Sequence, residues 1–175
     1  MGNTCTSNPV VLGKSRLVHE FPCQAQTLLL TKEEDFMIAH AYDDVEVWDI
    51  YARRLVWRVS ATGSKYSRLI SRVALSEDNK HILTGYPATK TICVWNIKEK
   101  RLEYILEAAH QNPLVGLVMA GNDLCITSER NYKSDINESN IKVWNLKTQS
   151  LVNCFERAHH GEAGLLATTE DNKLL

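Results

Sequence analysis

A tryptophan followed by a short acid or its amide recurs three times in this chain at nearly constant distance. The segments are Val45-Glu46-Val47-Trp48-Asp49-Ile50, Ile92-Cys93-Val94-Trp95-Asn96-Ile97 and Ile141-Lys142-Val143-Trp144-Asn145-Leu146. Trp48 and Trp95 are 47 residues apart, and Trp95 and Trp144 are 49. Before its Trp each segment alternates apolar and other residues, the period of a strand with one buried face. A repeat of roughly 20 to 50 residues confines a chain to arrays of one supersecondary unit, because a single unit cannot bury its own apolar face.

The flanking residues keep step with the tryptophans. Leu55, Leu102 and Leu151 each lie seven residues beyond their Trp, after the polar turns 51–54, 98–101 and 147–150. That is strand, hairpin, strand. Upstream, Ile38, Ile82 and Ile126 recur every 44 residues and open short apolar runs. Polar turns at 32–35, 77–80 and 121–123 precede them, and strand candidates at 27–30, 72–75 and 114–119 precede the turns. Each unit therefore reads as four short strands in about 45 residues, the period of a propeller blade.

On these residues the chain resembles the WD-repeat β-propeller family over roughly residues 10–175. The dipeptide is complete at Trp48-Asp49, while Trp95-Asn96 and Trp144-Asn145 carry the amide. The resemblance implies an all-β fold of four-stranded antiparallel sheets. It also implies that each Trp packs between blades and joins a hydrogen-bonded set. The other members are a Ser or Thr of the second strand, a His from the loop before the first strand, and an Asp of the second turn. A buried indole N–H needs an acceptor, so such a set is physically sensible. The third unit matches best, with His110, Ser128 and Trp144; the second offers Thr84, and the first has His40 where the hydroxyl belongs. No unit has an Asp six residues before its Trp, so weaker and less regular blades are expected.

The repeat frame divides the chain into a polar leader at 1–9, a half blade at 10–22, blades at about 23–60, 61–107 and 108–157, and a partial blade at 158–175. In the last, Ala158-His159 resembles another loop-histidine position and 163–169 reads as a first strand. Propellers close with about four to eight blades. The segment therefore reads as an incomplete or truncated propeller. It is completed by missing chain, by self-assembly with another copy or chain, or by closure as a small four-blade ring. At the amino terminus, Gly2 with Thr6 fits the N-myristoylation pattern and Cys5 offers a second acyl site. One chain anchors only marginally, so membrane association is expected only if acylation occurs.

Net charge is −1, which supplies no field to draw in nucleic acid, and no nucleic-acid partner is expected. The five cysteines are scattered with no C-x-x-C pair, which fits a reducing, cytoplasmic setting. The six histidines show no metal-motif spacing, and there is no Gly-rich phosphate loop or nucleophile elbow. No catalytic residues, metal or cofactor are assigned. The expected role is a non-enzymatic scaffold that binds other proteins, with a regulatory segment of a larger protein or an acylated adaptor as alternatives. The resemblance places partners on the rim that carries the second-to-third-strand loops. There Tyr42, Tyr86 and Arg130 each lie four residues after the recurring Ile, accompanied by Lys65, Tyr66, His159 and His160. Tyr and Arg are enriched in interface hot spots.

Overall fold

The computed structural model describes residues 20–23, 25–41, 43–60, 69–107, 109–131, 138–161, 163–164 and 166–168. These form three four-stranded antiparallel sheets and, among the described residues, no helix. The first sheet is β1 (Thr27–Leu30), β2 (Phe36–Ala41), β3 (Asp44–Asp49) and β4 (Arg54–Ser60). The second is β5 (Arg72–Leu75), β6 (His81–Tyr86), β7 (Thr91–Asn96) and β8 (Arg101–Leu106). The third is β9 (Leu114–Ala120), β10 (Leu124–Asn131), β11 (Glu138–Asn145) and β12 (Ser150–His160). Strands are neighbours in chain order within every sheet, and the sheets meet through their first strands, β1 against β5 and β5 against β9.

Three local devices recur in each sheet. Between the third and fourth strands the register slips by one residue immediately before the Trp, at Val47/Trp48, Val94/Trp95 and Val143/Trp144. Val56, Glu103 and Val152 are the extra residues of these bulges, which sharpen the local twist. The side chain after each Trp then caps the hairpin. Asp49 Oδ1 accepts from Ala52 N at 2.7 Å, Asn96 Oδ1 from Glu99 N at 2.9 Å, and Asn145 Oδ1 from Thr148 N at 3.0 Å. One side-chain oxygen performs this task, so Asp and Asn serve equally. The next backbone N–H closes the first hairpin turn: Ile50 to Asp35 O, Ile97 to Lys80 O and Leu146 to Asp123 O, at 2.7–2.9 Å. The regularity expected to be poor is thus retained in the backbone.

Register also corrects the sequence alignment. Trp48 pairs with Met37, Trp95 with Ile82 and Trp144 with Cys125, so the second-strand equivalents are Met37, Ile82 and Cys125. The equal spacing of Ile38, Ile82 and Ile126 is misleading by one residue in the second unit. In a strand that error moves a side chain to the opposite face. The true equivalents of Tyr86 are Ala41 and Glu129, and those of Thr84 are Ala39 and Thr127.

Apolar faces stack between the sheets. Ile38, Val45, Val47 and Val59 of the first sheet pack with Val73, Ile82, Tyr86 and Cys93 of the second. The second sheet's other face, Leu83, Ile92, Val94 and Leu106, meets Leu114, Leu117 and Cys125 of the third. Beyond the third sheet, residues 163–164 and 166–168 run past β9 without joining a sheet. Ser128 Oγ donates to Ala163 O, and Thr168 Oγ1 donates to Met119 O at 3.1 Å. Gly116 makes room for this segment, since a Cβ there would lie against Ser128 Oγ and 2.9 Å from Ala163 O. The first strand expected over 163–169 is therefore not paired as one within its described residues. Ala158, His159 and His160 extend β12, with His159 opposite Ser139 and His160 opposite Glu138, instead of forming a loop.

Candidate partner-binding rim

Antiparallel hairpins sort the connections onto two rims. The first rim carries the second-to-third-strand connections and the loops between sheets; the second carries the other two hairpin turns of each sheet. Of the residues expected on the first rim, Tyr42, Lys65 and Tyr66 lie outside the described residues, as do Gly2 and Cys5. His159 and His160 are exposed there, and Arg130 is half-buried, its N–H donating to Pro113 O at 3.2 Å.

Tyr86 does not present its side chain to a partner. It is 1% exposed and belongs to the core between the first two sheets. Burial pushes its phenol up to about 12, against a smaller opposing effect of Thr84. The reason is the register correction, which places it on the inward face at the end of β6.

At the equivalent position of the third sheet stands Glu129, 1% exposed, which sequence reasoning missed. Oε2 accepts from His110 Nδ1 at 3.1 Å, Gln111 N at 2.9 Å and Asn112 N at 3.2 Å; Oε1 accepts from Asn140 Nδ2 at 3.0 Å. Lys142 Nζ lies 3.5 Å away and also donates to Ala109 O at 3.1 Å. Burial by itself raises a carboxyl, but the bonds from His110, Asn140 and Asn112 and the Lys142 charge outweigh it. Glu129 is held well below the usual carboxylate range. Burial pushes the His110 imidazole down, opposed by Glu129, so a neutral ring donates Nδ1–H to an ionised carboxylate. Side-chain exposure of this pair is 0% and 2%, which closes it to any substrate. Its chemistry is structural: it ties the loop 109–112 to β10 and β11. The acid that the family resemblance places in a turn comes here from within a strand. The signal available in the sequence was a His110 without its expected Asp.

The tryptophans are satisfied in two ways. Trp95 Nε1 donates to Thr84 Oγ1 at 2.8 Å, and Trp144 Nε1 to Thr127 Oγ1 at 3.0 Å. Thr127, not Ser128, is therefore the acceptor for Trp144, while Ser128 points to the opposite face and holds Ala163. In the first sheet Ala39, not His40, occupies the hydroxyl position, and Trp48 Nε1 donates to Glu46 Oε2 at 3.0 Å. His40 Nε2 lies 3.1 Å from Ile70 O, and burial pushes its imidazole down. Among the described residues no group of three His, Cys, Asp or Glu side chains is placed to hold a metal ion.

The fold is similar to a solved structure described as the crystal structure of RRP9 WD40 repeats. The two share 19% identity and a TM-score of 0.64 over 81% of this chain. The match spans 41% of that chain's length. No protein-family model and no curated protein matches the sequence. At this identity the likeness shows the fold: three blades of a partial WD-repeat β-propeller, all-β, as the Trp repeat implied.

Proposed function

We propose that this chain is a non-enzymatic protein-interaction scaffold whose first rim contacts a protein partner. The observation that supports it is a WD-repeat fold whose most elaborate polar cluster, around Glu129, is spent on fixing a rim loop. A fixed loop presents its backbone and neighbouring side chains without an ordering cost at binding. His159, His160 and Arg130 border that loop's sheet on the same rim.

Photo-crosslinking from the rim tests this. A benzophenone amino acid at His159 or His160 is expected to give a protein adduct of discrete mass in native extract. The same group at Thr148, on the second rim, is expected not to. Equal adducts from all three positions, or none from the histidines, would sink the rim assignment.

A further inference from the structure

Two faces of the three-sheet stack bare positions that the stack covers elsewhere. Register sets Phe155 at the place of Val59 and Leu106. Those two are buried against the following sheet, whereas Phe155, on the back of the third sheet, is 45% exposed. Leu28 stands at the place of Val73 and Leu117. Those two are buried against the preceding sheet, whereas Leu28, on the front of the first sheet, is 57% exposed.

Residues 163–168 sit on the inner half of that back face as β5 and β9 sit on the sheets before them. His40, Gly85 and Ser128 are equivalent by register. His40 Nε2 lies 3.1 Å from Ile70 O, the Leu114 side chain packs over Gly85, and Ser128 Oγ donates to Ala163 O. Ile70, Leu114 and Ala163 therefore correspond. The sequence reaches the same alignment independently. Glu77-Asp78-Asn79-Lys80 recurs as Glu170-Asp171-Asn172-Lys173, an offset of 93 residues that also joins Ile70 to Ala163 and Val73 to Leu166. Leu166 packs with Val118 and Ile126, while Ala167 beside it is exposed. This is the innermost strand of a further blade, seated by one face only.

The complementary half of a blade precedes the first sheet. Val10-Val11-Leu12 and Leu17-Val18 read as third and fourth strands, with Leu17 and Phe21 each 38 residues before Leu55 and Val59. The Phe21 ring meets Trp48, on the front of the first sheet, edge to face at 5.8 Å.

We propose that two copies of this chain close a ring head to tail, each completing the other's half blade. Residues 163–168 of one copy cover the inner half of its third sheet. Residues 10–22 of the second copy cover the outer half, over Val143 and Phe155. The exposed side of Ala167 then meets Leu28 and Leu30 of the second copy. Head-to-tail contacts of this kind close into a ring when the rotation permits. Three sheets and one shared blade from each copy make about eight blades, within the range for propellers. Closure within one copy would turn neighbouring sheets by ~90°. Here the sheets stay in contact out to their outer strands, with Trp57 and Trp95 at 6.3 Å and Tyr104 Oη donating to Leu146 O at 3.0 Å. That is the stacking of a shallower arc. The joint uses sheet faces and not the rim, so it stands or falls separately from the scaffold role.

The whole chain tests this in solution. Sedimentation equilibrium across the micromolar range is expected to give twice the mass of the chain. With a benzophenone amino acid at position 155, irradiation of mixed isotope-labelled and unlabelled chain is expected to join one to the other through residues 10–22. Leu28→Asp and Phe155→Asp, both at exposed positions, are each expected to keep the wild-type circular dichroism spectrum and to weaken the dimer at least about ten-fold. If one of them fails to fold, the other carries the same test. A monomer at every concentration overturns the proposal. So does an adduct within one copy, which identifies a four-blade ring, or an adduct that maps outside residues 10–22. Masses that grow steadily with concentration also overturn it, since they identify an open polymer, as does a dimer that neither folded variant weakens.

Discussion

The first and third sheets share strand order, bulge and capped hairpin, yet they satisfy their interiors in opposite ways. In the third, Trp144 reaches across to Thr127, and Glu129 near the end of that strand gathers four hydrogen bonds and a lysine. In the first, the matching positions hold Ala39 and Ala41, and Trp48 turns to Glu46 on its own strand. Glu46 is shared with Arg58, whose side chain is half exposed. The difference teaches that the backbone devices carry the blade, while the buried polar set is an addition made sheet by sheet.

The comparison breaks first at the second-strand terminus. Glu129→Ala strips the partner from a buried histidine, two backbone amides and Lys142, and is expected to cost about 3–4 kcal/mol in urea unfolding. Tyr86→Ala, at the same position of the second sheet, is expected to cost about 3–4 kcal/mol by leaving a cavity. A loss below 1 kcal/mol at either residue would show that these side chains are not packed as described. At the indole, Thr127→Val and Thr84→Val are each expected to cost about 1–2 kcal/mol, since a half-buried indole N–H loses a fully buried acceptor. Glu46→Ala is expected to cost less than either, because the Glu46 side chain is 17% exposed and water can take its place, whereas Thr84 and Thr127 are fully buried. Equal losses in all three sheets would erase the distinction.

Acidification separates the histidines. His40 and His110 both have folded-state values below the ordinary 6.5. Below that pH the unfolded chain takes up protons that the folded chain refuses, so stability is full above it and declines as pH falls. Melting temperature is expected to hold from pH 8 to about 7 and to drop between about 6.5 and 5. His40→Gln is expected to flatten the drop in part, and an unchanged slope would remove His40 from the account. Glu129 adds a loss of its own as pH falls below the ordinary carboxyl value of 4.5 toward its lowered folded-state value. The smallest effects belong to the hairpin caps. Asp49→Ala, Asn96→Ala and Asn145→Ala are each expected to cost about 1 kcal/mol, by analogy with other side-chain caps. Asp49→Asn is expected to change stability by less than about 0.5 kcal/mol.

Much of the fold was legible because turns and alternation are local. β1 and β5 begin and end where the spacing of apolar runs and turns put them. The bulge before each Trp was not legible, because an extra residue in one strand shows only against its partner. That local ambiguity had consequences for the site. Counting from Ile38, Ile82 and Ile126 set Tyr86 beside Tyr42 and Arg130, whereas hydrogen-bond register sets it beside Ala41 and Glu129. Ser128 was exchanged for Thr127 through a similar displacement. Glu129 was invisible for another reason: a glutamate in an alternating run reads as solvent-facing until its donors, drawn from the loop 110–112 and from β11, are brought together.

The hairpin caps have a consequence for how such a chain diversifies. A cap that needs one oxygen and ignores charge lets Asp and Asn exchange without selection against the swap. The turn position that bonds its backbone to the following hairpin is equally indifferent, since the bond is accepted by the backbone carbonyl of Asp35, Lys80 or Asp123. Sign changes can therefore drift onto the second rim while the scaffold beneath is inherited unaltered. Each turn on that rim becomes an independent place where a new specificity can arise and be kept.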